Sequence, residues 1–243
     1  AGSGSGKMRD LLSMAVARNA GQRNFILDPR GEISAITLLN FALAGAYLYR
    51  WNPTGMHGET GDRMNPLDIL NFSSPTFHAD CKKISKSLIP APEGSNGRYF
   101  ELRASEWVEN FMKMLVERDG AVTFASLYRV INAIESDREV WADALEAMLG
   151  SSMDSVRRTA GEMLAKQQDA QKEFGSIVGE IYAHLSFLDD PMLARSLENP
   201  TASLADTCNS SRPVSWAINV PIEYVELWAP VLRTMSSVQM LYK

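Results

Sequence analysis

The chain of 243 residues has 45% hydrophobic and 22% charged residues, a composition that excludes a disordered, collagen-like or low-complexity polymer. Its 24 Lys and Arg against 29 Asp and Glu give a net charge of -5, which excludes a global positive field for nucleic acid but not local basic patches. Cys81 and Cys208 lie far apart and outside metal-ligand spacings, so we expect neither a disulfide framework nor a zinc site and favour a reducing compartment. No apolar run reaches the roughly 20 residues that a membrane-spanning helix needs.

The first third of the chain alternates between helical and strand patterns. Apolar positions recur at helical spacing through residues 8–20, and the short apolar run 24–28, closed by an Asp-Pro pair, predicts a buried strand. A second helix is predicted at about 33–43 and a second strand at 46–51. Such alternation is typical of a parallel α/β sheet with right-handed crossovers.

Beyond about residue 70 the pattern becomes helical. Apolar stripes with helical spacing occupy residues 104–115, 122–134, 140–148 and 153–188. Strand character returns at 213–221, and 222–242 again predicts a helix, with Pro230 as a kink. We therefore predict an α/β domain formed by residues 1–70 and 205–243, with an all-α domain at 71–204 inserted into it.

The sharpest chemical signal is a glycine loop that leads directly into the first helix. In a P-loop, small residues let successive backbone N–H groups surround a triphosphate, and a Lys reaches the β and γ phosphates. The residues that match this role are Gly2, Ser3, Gly4, Ser5, Gly6 and Lys7. The match is incomplete, because Ala1 stands where the first Gly is expected and Met8 where a Ser or Thr hydroxyl would bind Mg²⁺.

A Gly-Ser-Gly-Ser-Gly run is equally typical of a flexible linker, so the loop alone leaves both interpretations open. The helix that follows, and then a buried strand ending in a carboxylate, favour the P-loop. That carboxylate is Asp28. It could contact water or Mg²⁺ near the phosphates, but capping of the next helix is the favoured interpretation.

Other polar residues give weaker signals. His57, with Glu59 and Asp62 nearby, is best explained by a solvated loop, and no histidine shows metal-ligand spacing to a Cys or carboxylate. A basic run could contact phosphate or an acidic partner but is more typical of a solvated face; it comprises Lys82, Lys83, Lys86, Arg98 and Arg103. The methionines of the helical stripes fit core packing better than an adaptable docking surface.

Four motifs in chain order resemble those of the type IV coupling proteins, the P-loop ATPases of bacterial conjugation and type IV secretion. Residues 1–7 look like the Walker A loop of that family, where Ala at the first position and a residue other than Ser or Thr after the Lys are familiar. Residues 25–32 are similar to its Asp-Pro-Lys-Gly-Glu stretch, and 49–53 with 64–68 to its next strand and Asn-Pro-Leu-Asp segment. The helical middle resembles the all-α domain, and residues 214–221 the strand that re-enters the nucleotide-binding domain.

The resemblance implies a partial RecA-like P-loop nucleotide-binding domain with an inserted all-α domain. ATP and Mg²⁺ would be the cofactors, with Lys7 as the catalytic residue, the loop from Gly2 to Gly6 and Met8 around the phosphates, and Asp28 nearby. The whole protein would be a hexameric, inner-membrane-anchored motor that delivers DNA-protein or protein substrates to a secretion channel. Relaxosome or effector proteins, and DNA, would engage the all-α domain on the cytoplasmic side.

By the same resemblance, the family's membrane helices would precede Ala1 and its Walker B strand would follow Lys243. We therefore expect these 243 residues to bind nucleotide weakly and to hydrolyse none. Two alternatives stay open at this stage. One is a non-enzymatic helical adaptor or protein-interaction module with an N-terminal Gly-Ser linker; the other is a DNA-translocating septum motor, which shares the loop but not the helical insertion.

Overall fold

The computed structural model of the chain describes residues 7, 11–91, 94 and 97–242, which fall into two compact units. The first, here called the sheet unit, comprises Ala1–Asn65, Pro191–Trp228 and Tyr242–Lys243. The second, here called the helical unit, comprises Pro66–Asp190 and Ala229–Leu241. Among the described residues, no helix is both long enough and apolar enough to cross a bilayer.

A three-stranded parallel sheet organises the sheet unit. Its strands are β1 (Phe25–Leu27), β2 (Tyr47–Trp51) and β3 (Val214–Ile218), in the order β1-β3-β2. All five residues of β3 are buried, because a central parallel strand is covered on both faces and paired on both edges. The strands predicted at 24–28, 46–51 and 213–221 are thus confirmed, with slightly shorter bounds.

Short helices complete the sheet unit. They are α1 (Ser13–Arg18), α2 (Glu32–Leu43), α9 (Pro191–Ser196), α10 (Asp206–Asn209) and α11 (Ile222–Val225). Buried Phe41 of α2 packs in a small apolar cluster with Ala20 and Ala46, which Ile26 and Leu48 of the strands join. The α2 helix ends before Gly45, whose φ of 68° is a left-handed conformation that glycine adopts without strain.

The helical unit contains the helices α3 (Phe77–Leu88), α4 (Arg98–Asp119), α5 (Phe124–Ser136), α6 (Arg138–Leu149), α7 (Asp154–Asp169), α8 (Gln171–Leu185) and α12 (Ala229–Leu241). The 22-residue α4 contacts α3, α5, α6, α7 and α8. Its apolar stripe, including Trp107 and Phe111, is fully buried. The stripe methionines Met112, Met114, Met148, Met153 and Met163 are buried as well, which confirms the core interpretation.

Two side-chain caps explain where consecutive helices begin. The Thr123 hydroxyl accepts the N–H of Ser126 at 3.0 Å, and the Ser126 hydroxyl accepts the N–H of Thr123 at 2.9 Å, forming a capping box at the start of α5. Asp137 accepts the N–H groups of Glu139 and Val140, both at 3.1 Å, at the start of α6. The Asp137 cap separates α5 from α6 without a proline or glycine between them.

The boundaries of the units differ from the predicted domains at the C-terminal side. We predicted residues 205–243 in one domain, but α12 packs on α3 inside the helical unit, where Arg233 Nε donates to the carbonyl of Ser87 at 3.0 Å. Conversely, α9 belongs to the sheet unit, where Trp51 Nε1 donates to Ser196 Oγ at 3.1 Å. An amphipathic pattern shows that one face of a helix is buried, but not which partner buries it.

The predicted continuous helix with a kink at Pro230 is also wrong in detail. The chain forms two helices, and Pro230 is the second residue of α12, a position where its missing N–H has no partner to lose. Leu227 lies between the two helices in sequence and is 56% exposed.

Candidate functional site

The carboxyl ends of the three parallel strands place polar residues along one edge of the sheet. Asp28 follows β1, Asn52 follows β2 and Asn219 follows β3. The backbone pairing continues past the strands, since Asp28 N donates to Ile218 O at 2.9 Å and Asn219 N to Trp51 O at 2.8 Å. In open α/β sheets this edge is where ligands bind, so we call it the carboxyl edge and treat it as the candidate site.

Asp28 is fully buried at this edge. Its Oδ2 accepts the N–H of Ser34 at 2.9 Å, in the first turn of α2, and its carbonyl accepts the N–H of Gly31 at 3.1 Å. Asp28 therefore accepts an N–H of the first turn of α2, as a capping residue would, but the N-cap itself is Gly31 and the helix begins at Glu32. The other carboxylate oxygen, Oδ1, is buried and has no hydrogen-bond partner among the described residues, so one acceptor at the carboxyl edge is left unsatisfied.

Ser34 and Asn219, which the sequence analysis did not identify, form a buried hydrogen-bonded pair beside Asp28. Their exposed fractions are 1% and 3%. The Asn219 Nδ2 group donates to Ser34 Oγ at 3.1 Å, and Ser34 Oγ lies 3.2 Å from the Gly31 carbonyl that it can donate to. A serine in a first turn and an asparagine after a strand are too common to signal such a network from sequence.

His57 is exposed, as a solvated loop predicts, but its ring is not free. Its Nε2 lies 2.7 Å from the carbonyl oxygen of Arg30, so Nε2 carries the proton and donates. A Cβ added to Gly31, whose φ is 65°, would lie 3.1 Å from His57 Cδ2. The loop that follows β2 is thus locked onto the loop that follows β1, a long-range contact that no local pattern predicts.

Glu59 and Asp62, which we expected to be solvated neighbours of His57, instead bind back to β2. The Glu59 carboxylate pairs with the Arg50 guanidinium, and Asp62 Oδ2 accepts the N–H of Arg50 at 2.8 Å. Burial first, and then the negative charges of Asp206 and Asp62, raise the pKa of Tyr49 above its usual value. The loop after β2 is therefore an ordered part of the carboxyl edge.

The expectation that no histidine has carboxylate neighbours at ligand spacing is wrong for His184. In the helical unit its ring and the carboxylates of Glu101 and Glu180 offer ligand atoms within 4.8 Å of one another. His184 and Glu180 are one helical turn apart with 3.9 Å between Nε2 and Oε2, a proximity that i, i+4 neighbours on one helix face have without a metal.

Of the predicted phosphate-loop residues, the structure describes Lys7, which is helical and exposed. The other predicted phosphate-loop residues lie outside the described residues: Gly2, Ser3, Gly4, Ser5, Gly6 and Met8. The structure therefore describes the Asp28 side of the carboxyl edge.

Replacing Asp28 with alanine is expected to destabilise α2 by about 2 kcal/mol, because the Ser34 N–H would be left buried without an acceptor. Hydrogen exchange of peptides spanning residues 28–43 would measure the loss of protection. Asp28→Asn is the matched control, since it keeps an acceptor oxygen for the same N–H. Equal loss of protection in both variants would show that the carboxylate charge, rather than the cap, stabilises α2.

The sequence also matches a model of a known family along its whole length. The family described as Type IV secretory system Conjugative DNA transfer matches residues 1–243. The chain belongs to this family. The resemblance inferred from the four motifs is thereby confirmed, and the Gly-rich loop and Asp28 both lie inside the matched region. No curated protein matches this chain.

Solved coupling-protein structures are similar to this chain. The bacterial conjugative coupling protein TrwBdeltaN70, in an unbound monoclinic form, has a TM-score of 0.59 and 14% identity, over 99% of this chain and 50% of that one. The plasmid coupling protein TrwB in complex with ADP and Mg²⁺ has a TM-score of 0.49 and 12% identity, over 93% and 54%. At 14% identity, the match to TrwBdeltaN70 shows that the two chains share a fold. The chain spans about half the length of these proteins.

Proposed function

We propose that this chain is the part of a type IV coupling protein that binds ATP at the carboxyl edge of its sheet and engages transfer substrates through its helical unit. The observation that carries the proposal is the family match over residues 1–243, which includes the glycine loop at 1–7. The parallel sheet with a buried, half-satisfied carboxylate at its carboxyl edge supports it.

Within this proposal, the backbone N–H groups of Gly2 to Gly6 and the Lys7 ammonium hold the phosphates. Asp28 Oδ1, buried without a partner among the described residues, would be the acceptor that this chain offers to a water bound to Mg²⁺. The Met8 side chain has no oxygen to offer a hard cation, so this position would supply no hydroxyl ligand to the metal. Mg²⁺ supplies charge neutralisation at the phosphates. Solved TrwB complexes with ADP and Mg²⁺, and with the GTP analogue GDPNP, are consistent with nucleotide as the ligand.

Binding of ATP with Mg²⁺ should raise the melting temperature of the sheet unit, and Lys7→Ala should abolish the rise. A ligand at 100 times its Kd stabilises the folded state by about 2.7 kcal/mol, which is about 10–20 °C for a unit of roughly 100 residues. Thermal unfolding with and without ATP and Mg²⁺ would measure the shift. Arg18→Ala, which removes an exposed cation at the end of α1, is the matched control and should keep it.

The adaptor alternative makes the opposite prediction. If residues 1–7 are a flexible linker, ATP leaves the melting temperature of the unchanged chain and of both variants the same. A shift that survives Lys7→Ala would likewise contradict the phosphate role of Lys7, because the nucleotide would then bind elsewhere.

For the whole protein, the proposal extends to a hexameric ATP-driven motor anchored in the inner membrane, with the helical unit on the cytoplasmic side. Relaxosome or effector proteins, DNA and components of the secretion channel are its proposed partners. Family membership supports this extension; the sheet and helical units are the parts of it that the chain contributes.

A further inference from the structure

A cleft of about 390 Å³ opens within the helical unit, between α3, α4 and the start of α7. Its wall is polar and includes Lys82 and Lys86 of α3, Ser105 of α4, and Ser155 and Arg158 of α7. The volume lies within the range of small-molecule sites. None of these residues belongs to the phosphate loop or to the carboxyl edge.

The unpaired charge in the cleft is positive. Lys82, Lys86 and Arg158 are exposed, and none of them makes an ion pair with a described residue. Two carboxylates also line the cleft, and both are paired with cations. Glu109 accepts from Lys113 Nζ at 2.5 Å. Glu106 accepts from Arg103 Nη1 at 2.6 Å and shares this guanidinium with Glu162, which accepts from Nη2 at 2.8 Å.

The beginning of α7 adds hydrogen-bond donors to these charges. Met153 at the N-cap of this 16-residue helix offers no side-chain oxygen, and Asp154 is the acidic residue of the first turn. The N–H groups of Val156 and Arg157 donate to the Met153 carbonyl, and no side chain among the described residues caps the N–H groups before them. Ser155, in the first turn, is half-buried, and its hydroxyl has no hydrogen-bond partner among the described residues. An uncapped helix start favours an anion through its N–H groups and its dipole.

We propose that this cleft binds the phosphate groups of a compact ligand, of the size of pyrophosphate or a nucleoside diphosphate. Arg158 of α7 has the planar fork that matches phosphate oxygens, and the two lysines of α3 supply point charges. A cleft of about 390 Å³ accommodates a compact ligand and not a polyanion such as duplex DNA. For Lys82 and Lys86, the proposal takes the phosphate contact in place of the solvated face that the sequence pattern favours.

Calorimetric titration of the full chain with pyrophosphate tests the proposal. The titration is done in the Lys7→Ala variant, which removes binding at the phosphate loop. The result for the cleft then does not depend on whether the proposed ATP site exists. In this background we expect one remaining site for pyrophosphate. Adding Lys86→Gln and Arg158→Gln should weaken it at least tenfold. Adding Lys172→Gln and Arg129→Gln, two exposed cations away from the cleft, is the charge-matched control and should change it less than twofold.

Three results would overturn the proposal. The first is the absence of pyrophosphate binding in the Lys7→Ala background. The second is equal weakening by the cleft pair and the control pair, which would indicate a general charge effect. The third is binding of an oligothymidylate, but not of pyrophosphate, that depends on Lys86 and Arg158, since the cleft would then serve a polymer. Circular dichroism of each variant checks that the helical content is unchanged.

Discussion

Replacing Trp216 with alanine is expected to destabilise the sheet unit by about 3–5 kcal/mol, the usual cost of removing a fully buried large aromatic side chain. Trp216 is 0% exposed and lies in the middle of β3, opposite Phe25 of β1 and Tyr49 of β2. Its ring centroid is 5.0 Å from that of Tyr49. The truncation therefore opens a cavity where both strand pairs meet.

The measurement that suits this prediction is peptide-resolved hydrogen exchange during urea unfolding, because helical signals dominate circular dichroism. Peptides spanning residues 213–220 should lose protection at lower urea in Trp216→Ala. Tyr47→Ala, at the start of β2 where the side chain is 47% exposed, is the control and should cost less than about 1 kcal/mol. Similar losses in the two variants would contradict the central packing role of Trp216.

Replacing Gly61 with alanine is expected to cost the sheet unit about 3 kcal/mol, at the upper end of overpacking effects. An added Cβ at Gly61 would lie 2.5 Å from Asn52 N and 2.9 Å from Arg50 O. Both are backbone atoms at the end of β2, so no side chain can rotate away. The loop would have to separate from the strand, breaking the Asp62 N–H bond of 2.6 Å to the Arg50 carbonyl.

Gly21→Ala provides the matched control for Gly61→Ala. In the same unit, a Cβ at Gly21 would make an ordinary contact of 3.8 Å with Ala44 Cβ, and we expect a change within about 1 kcal/mol. Urea unfolding followed by exchange of peptides spanning residues 47–64 would compare the two. A Gly61→Ala variant as stable as Gly21→Ala would mean that the loop after β2 does not need this close approach.

The elements of the fold were predictable because each leaves a local mark. β1 is an apolar run closed by Asp-Pro, and the stripe of α4 repeats Trp107, Phe111 and Leu115 on one face. The assignment of α12 to the helical unit was not predictable, since its contact with α3 joins residues about 150 positions apart. Periodicity gives the buried face of a helix, whereas the partner depends on the tertiary fold.

Some residues of the candidate site were predictable from the sequence, and others were not. Asp28 could be found because a carboxylate after a buried strand and before a helix is a recognised local pattern. Ser34, Asn219 and the His57 contact could not, because each depends on loops from different strands meeting at one edge. The cleft between α3, α4 and α7 was predictable only in part. Lys82 and Lys86 are close in sequence, but Arg158 joins them only through the packing of α7 on α4.

The strand order delays the pairing of the sheet while the chain is synthesised on the ribosome. β1 and β2 each pair with β3 and not with one another, yet β3 begins 163 residues after β2 ends (214 minus 51). At about 5–20 residues per second, the first two strands wait on the order of 10–30 s for their shared neighbour. During that interval their backbone edges are open to wrong partners. A chaperone that shields nascent strands would therefore raise the yield of this protein more than that of a bundle with only local contacts.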